Sequence, residues 1–312
     1  MKPYFSVIIP LYNKENFIEN TIKSVLNQSF TDFELIVVDD CSTDRSLNIV
    51  KEIINNKIRI INHDLNSGLS SSRNTGITNS RANYIAFLDA DDLWKETFLE
   101  EILNLINEFP EAKLFATNYE EVYSEKIILK PDNYGTKITK NTLIYNYFDI
   151  SLNQPLYCPS SFCVEKIVFK NVGYYDEQIT FGEDVDFNIR ANSKFKLAYS
   201  NKVLVSYICF SENQITQSKL SDKIITDFDF YEKNNSSKSL KKFLDFNKYI
   251  MAKQYKNENN FKSFHKMKKG INSNNLNFKQ LFLLNSPRFL LKIITKIKTF
   301  FIYKKIRLTT YD

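Results

Sequence analysis

Tyr84-Ile85-Ala86-Phe87-Leu88-Asp89-Ala90-Asp91-Asp92 runs from an apolar stretch straight into three carboxylates. A short apolar run bounded by polar residues reads as a buried strand. Carboxylates at its C-terminal end lie where open α/β sheets bind ligands. Crowded carboxylates repel one another unless a cation offsets them. A hard divalent cation takes oxygen ligands and keeps substrate phosphates as further ligands. A solvated acidic turn would carry the same letters, so the neighbouring segments decide the reading.

Upstream, the same pattern of strand, polar tip and helix recurs. Phe5-Ser6-Val7-Ile8-Ile9 ends at Pro10-Leu11-Tyr12-Asn13, with Asn13 expected to cap a helix whose apolar face is Ile18, Ile22, Val25 and Leu26. Glu34-Leu35-Ile36-Val37-Val38 ends at Asp39-Asp40, and Ser42 or Thr43 is expected to cap a helix with Leu47, Val50, Ile53 and Ile54 on one face. A strand over 57–61 and a polar loop over 66–74 lead to the strand at 84–88. Strands alternating with helices predict a parallel sheet with right-handed crossovers, all tips on one edge. Tyr12, Asp40 and Asp89 then converge on one crevice. No G-x-G-x-x-G follows the first strand and no Walker A motif is present, so dinucleotide and P-loop readings lose their support.

Beyond residue 95 the pattern predicts a helix over 95–108, strands within 112–129, a loop-rich stretch over 130–160 with a short helix near 140–148, and a last strand pair over 196–209. Past about 216, Lys and Asn rise and helical patterns dominate. The expected division is a catalytic unit over 1–215, its nucleotide side over 1–110 and its acceptor side over 111–215, then a helical region over 216–312.

The chain has 312 residues, 43% hydrophobic and 25% charged, ordinary values for a globular protein large enough to bury a core. No stretch approaches the roughly 18 apolar residues of a membrane span. The N-terminus runs directly into a strand, so no signal peptide is expected. Cys41, Cys158, Cys163 and Cys209 form no C-x-x-C pair, and His63 and His265 are the only histidines, which argues against a zinc site and against a His-dependent hydrolase. Free thiols fit a reducing cytoplasm.

The ordered motifs resemble family 2 glycosyltransferases of the GT-A fold. They are Val7–Asn13, Gln28–Asp44, Gly68–Gly76, Tyr84–Asp92 and, much later, Gly182-Glu183-Asp184-Val185-Asp186-Phe187-Asn188-Ile189-Arg190; together they cover about two-thirds of the chain, roughly residues 4–210. The resemblance implies an inverting transfer from a nucleotide sugar, with UDP-sugars the implied donor class, onto a hydroxyl of a growing surface glycan or lipid-linked glycan. It implies that Pro10 and Tyr12 line the uracil, with Ala90 beside the nucleotide. Asp40 accepts from the base and Arg73 lies near the phosphates. Asp89 contacts the ribose or a metal-bound water, and Asp91, with Asp89, binds Mn2+ or Mg2+. Asp184 is the implied base, with Glu183 beside it. Independently of the family, one-step inversion needs a carboxylate within hydrogen-bond reach of the acceptor hydroxyl. It also needs positive charge at the departing diphosphate. Arg190, on the helix face of Glu183, can pair with that residue or touch substrate, and Trp94 is a further candidate substrate contact. One departure stands out. Many relatives carry a histidine near Phe210, and this chain has none between His63 and His265.

The net charge of +6 is uneven: Arg288 to Arg307 carries seven cations and no acid, leaving −1 for the rest. The body is therefore not a nucleic-acid binder. Residues 287–308 read as a basic amphipathic helix suited to an anionic membrane surface, which would make a cytoplasmic enzyme peripheral to the inner face of that membrane. Two other classes share the acidic crevice. A nucleotidyltransferase needs a glycine-rich basic loop that is not found after the first strand. A non-catalytic nucleotide-sugar binder has no need of Asp184.

Overall fold

The computed structural model of the chain describes residues 2–131, 137–152 and 154–306. Four strands open the fold: β1 (Phe5–Leu11), β2 (Phe33–Asp39), β3 (Ile58–Asn62) and β4 (Tyr84–Phe87). Helices α1 (Ile18–Leu26), α2 (Ser46–Glu52) and α3 (Leu69–Asn79) connect them. β1 and β2 are buried at every position, which is why they read as unbroken apolar runs. β1 pairs in parallel with β2 on one side and β4 on the other, and β2 with β3. β4's pairing stops at Ile8↔Phe87, so no ladder on that side needs the N–H that Pro10 lacks.

The second half adds β5 (Leu93–Trp94), α4 (Phe98–Glu108), β6 (Leu114–Ser124), β7 (Ile127–Leu129), β8 (Thr142–Ile144), α5 (Tyr147–Ile150), β9 (Phe162–Glu165), α6 (Ile167–Val172), α7 (Glu183–Asn192) and β10 (Leu197–Ile208). The ten described strands form one mixed sheet of order β3-β2-β1-β4-β9-β6-β10-β5, with β7 on β6 and β8 on β10. β9 runs antiparallel to both β4 and β6, so β6 and β10 point the same way as β4 and end at the same edge. The expected short helix near 140–148 is instead strand β8 followed by the single turn α5, because β10 offers β8 an antiparallel partner. The expected strand pair over 196–209 is one long strand, broken only by a register shift between Ser200 and Val205.

Alternation along the strands splits the core. Val7, Ile9, Ala86 and Leu88 face α1 and α4. Ile8, Ile85 and Phe87 face the other way, toward Phe187 of α7. That second layer also takes in residues of the C-terminal helices α8 (Phe228–Asn234), α9 (Lys238–Asn257), α10 (Phe261–Lys269), α11 (Phe278–Asn285) and α12 (Arg288–Tyr303). Among the described residues, no helix is long and apolar enough to cross a membrane.

Two expected caps fall elsewhere. Asn13 sits in the left-handed region at φ 50°, five residues before α1 begins. Its Oδ1 accepts from the Thr43 N–H at 2.8 Å, and its own N–H donates to Ser42 Oγ at 3.1 Å. Ser42 and Asn13 thereby lock the tips of β1 and β2 together instead of starting helices. Asp44 Oδ1 takes the Ser46 N–H at 2.9 Å where α2 starts.

Candidate active site

The strand tips bring the expected residues to one edge. Tyr12, just beyond β1, is 42% exposed, so its ring is open to a ligand. Pro10 is buried within β1 beneath it. The Asp40 N–H donates to Leu11 O at 2.8 Å, joining the first two tips. The Asp40 carboxylate is buried and holds the next loop: it accepts from the Ser67 and Gly68 N–H groups, each at 2.8 Å, and lies 2.7 Å from His63 Nδ1. A neighbour has spare capacity, since Asp39 Oδ1 is buried without a hydrogen-bond partner.

Arg73 is the hub. It rides on α3, and its guanidinium is 1% exposed. Nη2 donates to Asp89 Oδ1 at 2.8 Å and Nη1 to Glu183 Oε1 at 2.6 Å. Its guanidinium also lies over the Tyr175 ring at 5.3 Å. Those carboxylates keep Arg73 firmly cationic despite the burial that opposes its charge. Arg73 thus ties the end of β4 to the start of α7, and its buried Nε has no hydrogen-bond partner.

The acidic tip is differentiated. The Asp89 carboxyl is pushed up by burial and by Asp91, against the pull of Arg73. Ala90 is buried, and its carbonyl accepts from Thr21 Oγ1 at 3.0 Å. Asp91 Oδ2 accepts from Lys14 Nζ at 2.8 Å and from the Ser211 hydroxyl. Lys14 Nζ also donates to Ser211 Oγ at 3.0 Å and to Glu212 O at 2.5 Å. Lys14 and Ser211 are contacts that sequence reasoning missed, since only the fold brings 14, 91 and 211 together. They surround Asp91 next to Phe210, the position where the family resemblance implies a histidine. Asp92 is structural: Oδ2 accepts from Ser160 Oγ at 2.5 Å and Oδ1 from the Ile208 N–H at 2.9 Å, and its carboxyl is pushed well up by burial.

Among the described residues no three acidic, histidine or cysteine side chains are grouped to hold a metal ion. Asp89 is paired with Arg73 and Asp91 with the Lys14 ammonium, while Asp92 is held by Ser160 and the Ile208 N–H.

Across the edge, Gly182 at φ +75° turns the chain into α7. Glu183 is buried against Arg73, while Asp184 is only half-buried. The Asp184 carboxyl is pushed up to about 7 by burial and by Glu183, against the pull of Arg73 and the Val185 N–H. Two expected substrate contacts are corrected. Trp94 is buried, stacked on Phe98 at 4.2 Å, and its Nε1 donates to Ser160 O at 2.7 Å, so it packs the core. Arg190 pairs with Asp186, Nε to Oδ2 at 2.9 Å, and donates to the carbonyls of Val172, Gly173 and Tyr174. It staples α7 to the end of α6 and touches neither Glu183 nor the crevice.

A mixed sheet with an acidic tip facing a helix-borne carboxylate is the GT-A arrangement of a glycosyltransferase. The chain belongs to glycosyl transferase family 2, whose family model matches residues 6–172. It is 32% identical over 164 residues to the Escherichia coli UDP-Glc:alpha-D-GlcNAc-diphosphoundecaprenol beta-1,3-glucosyltransferase WfgD, covering 50% of this chain and 63% of that protein. It is 30% identical over 194 residues to the Bacillus subtilis glycosyltransferase EpsJ, covering 61% of this chain and 56% of that one. The matched stretch is therefore less than two thirds of either relative. Among solved structures, Staphylococcus aureus TarS 1–349 in complex with UDP-GlcNAc superposes with a TM-score of 0.60 at 18% identity, over 90% of this chain and 78% of that one.

Proposed function

We propose that this glycosyltransferase moves a sugar from a UDP-sugar to a hydroxyl of a lipid-linked surface glycan, with inversion at the anomeric carbon. The observation that carries the reading is Asp184, half-buried with its carboxyl pushed up to about 7, and tied through Glu183 and Arg73 to Asp89. A base of that affinity accepts a proton near neutral pH. The acceptor oxygen attacks the anomeric carbon as its bond to the diphosphate oxygen breaks. The proton passes to Asp184, and UDP departs with the bonding electrons. Tyr12 offers a face to the uracil, and Asp40 shapes the base end through the 63–68 loop. Bound Mn2+ or Mg2+ would offset the charge growing on the leaving diphosphate. The UDP-GlcNAc held by TarS and the diphosphoundecaprenol acceptor of WfgD support the donor and acceptor classes.

The test is UDP release from a panel of UDP-sugars with Mn2+ or Mg2+, with and without a GlcNAc-diphospholipid acceptor, then again after chelation. Acceptor-dependent UDP release that chelation abolishes is expected. Pyrophosphate from UTP and a sugar phosphate would identify a nucleotidyltransferase. Tight UDP-sugar binding without turnover on any acceptor would identify a binding module.

A further inference from the structure

The last helix, α12, presents two apolar faces. One is packed: Leu291 joins the main core, and Ile302 sits against Ile127 and Leu129 of β7. The other is largely exposed among the described residues. Phe289, Ile293, Ile297 and Phe300 are 65%, 48%, 46% and 58% exposed. At about 100° per residue these four fall within roughly 80° of arc, nearly opposite Leu291 and Ile302. Lys292 and Lys296, both exposed, border the stripe. The preceding helix adds exposed Phe278 and Phe282.

Charge selects the occupant. Residues 259–311 hold twelve Lys and Arg and no Asp or Glu, so with +6 overall the remainder of the chain carries −6. A second copy seated on this face would bring like charges together with no acid in the segment to offset them. A nucleic acid would meet the lysines but leave four bulky apolar side chains unburied. An anionic lipid surface satisfies both, taking apolar side chains into the headgroup boundary and pairing lysines with lipid phosphates.

We propose that α12 seats the protein on an anionic membrane surface, the Phe289–Phe300 stripe entering the headgroup boundary and Lys292 and Lys296 flanking it. The placement relative to the crevice fits. Ile302 packs on the hairpin of β6 and β7 alongside Tyr123. The Tyr123 ring lies 5.7 Å from that of Phe210, whose neighbour Ser211 bonds Asp91. The lipid-facing helix therefore abuts the same sheet edge as the acidic tip, where a membrane-borne acceptor would be delivered. The inference does not depend on which reaction the crevice performs.

Flotation of the full chain with vesicles of phosphatidylglycerol and phosphatidylcholine, against phosphatidylcholine alone, tests it. Binding to the anionic vesicles alone, weakened by high salt, is expected. Lys292→Gln with Lys296→Gln should weaken it by roughly thirtyfold, at about tenfold per 1.4 kcal/mol and about one charge contact per lysine. Ile293→Ser, Ile297→Ser and Phe300→Ser combined should abolish it while keeping a single cooperative circular-dichroism melt, lowered by only a few degrees, because about half of each side chain is already exposed. Equal binding to both vesicle types, undiminished binding of either variant, or a soluble dimer that the triple substitution dissolves would overturn the proposal.

Discussion

In the proposed reaction Asp184 is the base, and the ion pairs of Arg73 with Asp89 and Glu183 fix the segment beside it. Burial, and then Glu183 beside it, raise the Asp184 carboxyl, while Glu183 itself is paired with Arg73. The charged and titratable groups around Asp184 are Glu183, Arg73 and Asp89, with Tyr147 and Tyr175 also nearby. The pH consequence has opposite signs for stability and for catalysis. A folded-state value raised above that of the unfolded chain favours the fold at low pH, and the contribution is lost as pH rises through about 7. Catalysis needs the deprotonated form, so kcat/KM should climb about tenfold per pH unit below 7 and level above it. Asp184→Asn should lower kcat by about a hundredfold or more and remove that limb while UDP-sugar binding persists. An unchanged pH profile in the variant would exclude Asp184 as the base. Much of this site was legible in the letters, because a tip that follows a buried strand has a forced location. Trp94 and Arg190 were not, since their roles are set by Ser160 and by the carbonyls of residues 172–174, distant in sequence. Lys14 is the converse case: a lysine in a polar turn reads as solvated until Asp91 and Ser211 arrive around it.

The elements hold these residues through close approach rather than through caps. Gly76 lies on the buried face of α3 directly over Ile8 of β1, and any Cβ there would collide with the Ile8 side chain. Helix α3 can sit that near the sheet only because residue 76 has no side chain. One turn earlier on the same helix is Arg73, so the helix-to-strand distance sets where the guanidinium meets Asp89 and Glu183. Gly76→Ala should therefore destabilise the protein by about 1–3 kcal/mol, read by denaturant titration, and should reduce turnover beyond what the stability loss explains. A neutral Gly76→Ala would mean that Ile8 repacks freely and that α3 does not set the position of Arg73. The strands β1, β2 and β4 were readable because burial on both faces writes a continuous apolar run. β8 was not, because three residues with mixed burial acquire strand structure only by pairing with β10.

At the scale of the whole molecule, the helices after residue 216 complete the core beneath the sheet. Leu240, Phe243, Leu244 and Tyr249 of α9 are buried in the cluster that holds Ile8, Phe87 and Phe187. α5 packs on α9 through Tyr147 and Phe243, whose rings lie 6.0 Å apart. The compositional shift at 216 thus marks a change of element type without a break in the core. Helix α12 is different, because among its described residues only Leu291 and Ile302 are fully buried. Their burial contributes at most about 3–6 kcal/mol, before subtracting the ordering entropy of the helix. A chain ended after residue 215 should fail to fold, exposing apolar surface and binding a hydrophobic dye, because the face of the sheet over Ile8 and Phe87 loses its cover. A chain ended after residue 286 should still unfold cooperatively, at a lower temperature, with its crevice intact. Calorimetry of the two truncations separates the cases. A cooperative transition in the 1–215 chain would show that the sheet carries its own core and that the helices are an independent unit.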